Sequence, residues 1–155
     1  TAVDSESQIH KQITALTEAK KMAYEEAQCI RIQDIMTFLH SEIGQRMKKA
    51  FEADQLYREQ PFVLGVDAKE LYHEEEDGEL ILIQGIIDAY FEENDAVILL
   101  DYKTDRVPIR NGAEILQKRY QRQLDDYQYA LEQILQKKVR QKLIYSFALK
   151  TWIDF

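Results

Sequence analysis

The fold is decided by the stretch ELILIQGIIDAYFEENDAVILLDYKT, residues 79–104. Two aliphatic and β-branched runs, Glu79 to Phe91 and Ala96 to Lys103, flank Glu92, Glu93, Asn94 and Asp95, which is a hairpin signal. Both runs are apolar on both faces, so the strands are predicted to lie buried in the middle of a covered sheet. Centred on Glu93 and Asn94, the hairpin sets Asp88 opposite Leu99, with Asp101 as its diagonal neighbour on the same sheet face. Lys103, two residues on, points to that face as well. A one-residue slip would send Asp101 to the opposite face.

Working outward, residues from Asp4 to about Phe51 carry apolar positions at helical spacing, such as Ile9, Ile13 and Leu16, then Ile32, Ile35, Met36 and Leu39. They predict two or three helices, with Gly44 as a candidate break. Gln55 to Val66 reads as an edge strand, where Pro61 needs no ladder donor. A helical turn is expected at Asp67 to Tyr72 and a solvated acidic turn at Glu74 to Gly78. Residues 113–136 form a long helix with Ile115, Leu116, Leu124, Tyr127, Leu131, Ile134 and Leu135 at apolar positions. Arg140 to Ile153 close the chain as a strand, with Leu143, Tyr145 and Phe147 on one face. The order is helices, three strands, helix, strand, in an α/β chain. With 155 residues, 45% of them hydrophobic, this is one domain, a helical segment over 1–52 and an αβ core over 53–155.

No apolar run approaches the roughly 18 residues of a membrane span, and the N-terminus lacks a signal-peptide pattern, so a soluble, cytoplasmic protein is expected. The single cysteine, Cys29, cannot form an internal disulfide and reads as a core thiol. A net charge of −8 opposes general affinity for nucleic acid. Local basic clusters remain at Lys48 and Lys49, at Lys118, Arg119 and Arg122, and at Lys137, Lys138, Arg140 and Lys142, each equally readable as a solvated helix face.

Asp88 and Asp101 stand inside buried strand sequence, an expensive place for charge. An ion pair, a hydrogen-bond network or a bound cation must compensate them. Two carboxylates at diagonal spacing can ligate one divalent ion, and hard oxygen donors select Mg²⁺, with Mn²⁺ as a substitute. Such an ion polarises a phosphodiester and lowers the pKa of an attacking water, while a neighbouring lysine stabilises charge in the transition state. The competing reading is structural, with Asp101 paired to Lys103 or Arg106 in a buried salt bridge.

Gly85-Ile86-Ile87-Asp88 and Asp101-Tyr102-Lys103-Thr104-Asp105 resemble the Gly-hydrophobic-hydrophobic-Asp and Asp-Tyr-Lys-Thr/Ser motifs of RecB-type nucleases, a branch of the PD-(D/E)xK superfamily. Tyr120, Gln123, Leu124 and Tyr127 resemble that family's helical Gln-x-x-x-Tyr motif, and Arg58-Glu59-Gln60-Pro61-Phe62 resembles its first core strand. The resemblance covers roughly residues 30–155 and is closest to the C-terminal nuclease domain of the AddA subunit of bacterial helicase-nucleases that process double-strand breaks. It implies a restriction-endonuclease-like core, a mixed central sheet flanked by helices. It also implies that Asp88, Asp101 and the Tyr102 carbonyl ligate the metal, that Lys103 is the catalytic lysine, and that Gln123 and Tyr127 position DNA or the site.

The same resemblance implies DNA as substrate, a helicase part in the same parent chain and an AddB-like second subunit. RecB-type nucleases carry an additional histidine ligand in a Gly-Thr-x-x-His pattern, which is not found around His10, His40 or His73. The chain is therefore expected to be a fragment cut downstream of that histidine. No Gly-x-x-x-x-Gly-Lys-Ser/Thr loop is present to support ATP hydrolysis in this piece. The alternative function is a non-catalytic nuclease-fold module that binds DNA or a partner protein.

Overall fold

The computed structural model describes residues 5–67 and 80–155. The helical turn expected at Asp67 to Tyr72 and the acidic turn at Glu74 to Gly78 lie outside the fully described residues. The chain divides into two compact units, Thr1–Asp54 and Gln55–Phe155.

Among its described residues the first unit has four helices, α1 (Glu6–Glu18), α2 (Tyr24–Cys29), α3 (Ile32–His40) and α4 (Glu42–Glu52), more than the two or three expected. Ser5 starts α1 with a reciprocal cap: its hydroxyl oxygen accepts the Gln8 N–H, and the Gln8 side-chain oxygen accepts the Ser5 N–H. The break near Gly44 belongs to Ser41 instead. The Ser41 hydroxyl donates to the Phe38 carbonyl at 2.6 Å and accepts the Gly44 N–H at 3.1 Å, ending α3 and capping α4 together. Gly44 is needed inside α4 because a Cβ there would run into the Phe38 carbonyl oxygen. Cys29 is exposed, not a core thiol, since α2 is a six-residue helix with no buried residue.

The second unit is a five-stranded sheet in the order β1 (Leu56–Asp67), β2 (Leu80–Glu93), β3 (Ala96–Lys103), β4 (Val139–Ser146), β5 (Thr151–Asp154). β3 and β4 are parallel and the other neighbours antiparallel, so the sheet is mixed. The parallel step is made by α5 (Gly112–Leu135), a crossover long enough to carry the chain back. β1 is an edge strand and holds Pro61 opposite Ile86, as expected. The closing segment is not one strand. β4 stops at Ser146, a turn with left-handed Lys150 (φ 55°) reverses the chain, and β5 returns as the other edge.

Val97, Ile98, Leu99 and Leu100 of β3 are fully buried, each contributing about 1.5–3 kcal/mol of transfer free energy. Leu124, Ala130 and Leu131 of α5 pack with Val97, Leu99, Val139 and Ile144 in one core cluster. The expectation of burial fails for the first half of β2: Leu80, Leu82 and Ile86 are exposed. That half pairs with β1 alone, because the β2–β3 ladder begins only at Ala89–Leu100.

The hairpin register also differs. Asn94 and Asp95 both take left-handed φ (51° and 58°), which their short polar side chains tolerate, so the turn centres on them and Glu93 pairs with Ala96. The ladder is displaced by two residues from the expected one. Continued one pair past Ala89–Leu100, it sets Asp88 directly opposite Asp101, not diagonal to it, and side-chain parity is kept.

Candidate active site

Asp88 lies where β2 leaves β3. Its other neighbour is disturbed as well, because the β1–β2 ladder runs from Leu56–Phe91 to Asp67–Leu80 with Glu59 and Asp88 the facing positions left unpaired. Glu59 has φ 50°, a left-handed conformation inside a strand. Core-facing side chains change parity across this point, from Tyr57 to Phe62 and Leu64 on β1 and from Ile83 and Ile87 to Tyr90 on β2. Such a local kink re-aims a side chain. Freed from regular pairing, the Asp88 carboxylate reaches the next strand, where Oδ2 accepts the Tyr102 N–H at 2.9 Å.

Asp101 sits near the C-terminal end of β3, parallel to β4 opposite Ile144, and is 2% exposed. Lys103 follows on the same strand and puts its ammonium 2.6 Å from Asp101 Oδ2. That carboxylate oxygen takes no well-formed hydrogen bond among the described residues. Burial pushes the Asp101 carboxyl upward; Lys103 opposes this and the Asp88 charge adds to it. Burial likewise pushes the Tyr102 hydroxyl up to about 12, with the Asp88 charge adding and Arg58 opposing. The ion pair with Lys103 thus leaves the Asp101 carboxylate incompletely compensated, with a second acid facing it.

α5 completes the seat of the lysine. Lys103 Nζ donates to Gln123 Oε1 at 3.1 Å, and Gln123 Nε2 donates to the Tyr127 hydroxyl at 2.9 Å. The i,i+4 spacing puts Gln123 and Tyr127 on one helix face. Tyr127 meets Phe62 edge-on with ring centroids 5.6 Å apart, and Gly85 lies beneath both rings, where a Cβ would come within 3.1 Å of Phe62 and 3.3 Å of Tyr127. All the chemistry-bearing residues singled out in the sequence, Asp88, Asp101, Tyr102, Lys103, Gln123 and Tyr127, therefore belong to one connected group.

Tyr120 and Asp105, present in the sequence motifs but given no role there, join it together with Arg119. The Tyr120 ring lies under Lys103, with Nζ 4.3 Å from its centroid. Its hydroxyl donates to both Asp105 oxygens at 2.9 and 2.8 Å, and Arg119 pairs with the same carboxylate. The Tyr120 hydrogen bond lowers the Asp105 carboxyl, burial opposes it and Arg119 assists. The sequence signal was available, since Tyr120 is one turn before Gln123, but only the fold shows that Asp105 returns to it. No group of three or more His, Cys, Asp or Glu gathers among the described residues, and His10 and His40 join no such cluster.

The facing acids, one accepting the Tyr102 N–H and the other paired with Lys103, are hard oxygen donors next to a fixed cation. The comparisons with known proteins agree on its ancestry. The model of the PD-(D/E)XK nuclease superfamily matches residues 3–151. The chain belongs to that superfamily.

Within it, the similar proteins are ATP-dependent helicase/nuclease subunits of the AddA type, in keeping with the resemblance in the motifs. The one from Clostridium kluyveri (strain ATCC 8527 / DSM 555 / NBRC 12016 / NCIMB 10680 / K1) is 42% identical over 98% of this chain. Those from Bacillus velezensis (strain DSM 23117 / BGSC 10A6 / LMG 26770 / FZB42) and Clostridium botulinum (strain Loch Maree / Type A3) are 39% and 38% identical over 95% and 97% of it. The matched region is 12% of the length of each of these three relatives. The mixed sheet, the helix packed on it and the N-terminal helical segment are consistent with the restriction-endonuclease-like fold of this superfamily. No helix among the described residues is long and apolar enough to cross a membrane.

Proposed function

We propose that this chain is the catalytic nuclease part of a helicase-nuclease and hydrolyses DNA phosphodiesters with Mg²⁺, or Mn²⁺ in its place. The observation that carries this is the meeting of Asp88, Asp101 and Lys103 where β2 and β3 diverge. The superfamily match and the names of the relatives support it. Asp88, Asp101 and the Tyr102 carbonyl would hold the ion. When bound, the ion polarises the phosphodiester and makes a bound water more acidic.

Lys103 supplies the fixed positive charge beside the reacting phosphate, where a preorganised cation stabilises the transition state. Gln123 orients that ammonium through its amide oxygen and is itself steadied by Tyr127. The non-catalytic alternative rests on the Asp101–Lys103 contact, which is also what a purely structural ion pair would show. Both units are read as parts of one nuclease domain of a larger cytoplasmic protein, with a helicase part in the same parent chain and an AddB-like partner.

Digestion of linear DNA with Mg²⁺ or Mn²⁺ tests the assignment. Cleavage should fall by orders of magnitude in Asp101→Ala and Lys103→Ala, in this chain or in the longer parent protein. Undiminished cleavage in those variants would refute the site.

A further inference from the structure

The loop that follows Lys103 is built to present two arginines and an isoleucine. In the αβ unit, Lys103, Arg119, Arg122, Lys137, Lys138, Arg140 and Lys142 all have carboxylate partners. Arg106, Arg110 and, on α5, Lys118 have no ion pair among the described residues, although the chain carries a net charge of −8 and acids are abundant. Both arginines are exposed, and between them Ile109 is 91% exposed.

The loop has two anchors. Asp105 is held by both hydrogen bonds from Tyr120 and by Arg119. Val107 packs onto Gly112, where a Cβ would lie 2.7 Å from Val107 Cγ2 and 3.1 Å from a Leu149 methyl carbon. Residues 105 and 107 thus tie the loop down, while Arg106, Ile109 and Arg110 face solvent. An aliphatic side chain set on an anchored crest between two guanidinium groups matches a partner with phosphates alternating with apolar faces. A DNA strand is such a partner, with backbone phosphates for the arginines and base faces or sugars for the isoleucine.

We propose that the Arg106–Ile109–Arg110 crest is a DNA-strand contact that holds the substrate backbone beside the Asp88–Asp101–Lys103 site. The assignment rests on the nuclease reading of that site for its partner. Its two charges account for local attraction of DNA to an acidic protein, an effect that ion pairing weakens at Arg119, Arg122, Lys137, Lys138, Arg140 and Lys142.

The test is binding of a fluorescent oligothymidylate to this chain in EDTA, so that no cleavage is involved, as a function of salt. Arg106→Gln/Arg110→Gln should reduce the slope of log K against log salt by about 1.4, two single-strand phosphate contacts at about 0.7 each. Over one decade from 1 M salt this weakens binding about 25-fold at 0.1 M. Ile109→Ser should weaken binding severalfold with the slope unchanged. Lys138→Gln/Arg140→Gln removes the same charge near the β2–β3 turn, at the other end of β3 from Lys103, and should leave the slope within experimental error. Circular dichroism and Trp152 fluorescence check that each variant is folded.

Equal slopes for the wild type and the crest variant, absence of oligothymidylate binding by the wild type, or equal competition by polyglutamate would each overturn the proposal. The nuclease reading fails separately. If Lys103→Ala abolishes metal-dependent cleavage while the crest variant binds normally, that reading stands and this one falls; the reverse outcome leaves the crest standing alone.

Discussion

Divalent metal should stabilise the αβ unit, and the effect should vanish when either facing carboxylate is neutralised. Asp101 is 2% exposed, its raised carboxyl reflects burial, and Asp88 faces it across the sheet. A cation shared by the two relieves both burdens, so it binds the folded unit in preference to the unfolded chain. At a free metal concentration tenfold above Kd the gain is about 1.4 kcal/mol, from RT ln(1 + [L]/Kd). For a unit of about one hundred residues, each kcal/mol moves Tm by roughly 4–8 °C, giving an expected rise of about 6–11 °C. The chain has one tryptophan, Trp152 on β5, packed against Tyr145 of β4 at 5.0 Å, so its fluorescence reports this unit. Thermal melts of wild type, Asp88→Asn and Asp101→Asn would be recorded in EDTA and across a Mn²⁺ titration. Only the wild type should shift. No shift in the wild type at tens of millimolar Mn²⁺, or the same shift in the variants, would refute the assignment of these carboxylates to a metal.

Tyr120→Leu removes the ring beneath Lys103, whose side chain is only 14% exposed, so roughly 1–2 kcal/mol of cation–π stabilisation is lost. Expressed wholly in the transition state this lowers kcat about 5- to 30-fold with KM little changed, and Tyr120→Phe should recover much of it. Alkali should unfold the αβ unit, because burial holds the Tyr90 hydroxyl above its ordinary range and the Tyr102 hydroxyl at about 12. Their contribution is intact below about pH 10 and lost as pH rises from there through their folded values, a trend that ultraviolet titration with Trp152 fluorescence would follow. Gly44→Ala drives a Cβ into a backbone carbonyl that cannot rotate away, and should cost α4 at least about 1–3 kcal/mol, read as faster amide exchange in α3 and α4.

Much of this protein is legible in its sequence. Aliphatic and β-branched runs on either side of Glu92 to Asp95 specified the hairpin, and Asp88, Asp101 and Lys103 were conspicuous because charge in such runs requires compensation. Gln123 and Tyr127 were picked out by resemblance to a family motif, and their i,i+4 spacing put them on one helix face. These features are local, written in nearest-neighbour patterns. The turn centre, the exposed half of β2 and the division of the closing segment into β4 and β5 were not, since each depends on which strand lies beside which. Cys29 showed the same dependence: an apolar thiol in helical sequence is buried only if its helix has something to pack against. Tertiary structure alone decided that Glu59 and Asp88 interrupt the ladder, that Asp88 turns to the Tyr102 N–H, and that Asp105 returns to Tyr120 beneath Lys103. The sequence determined which side chains bear charge in an apolar setting; the packing of β2, β3 and α5 determined which of those charges meet, because distance between strands is not written in the order of residues.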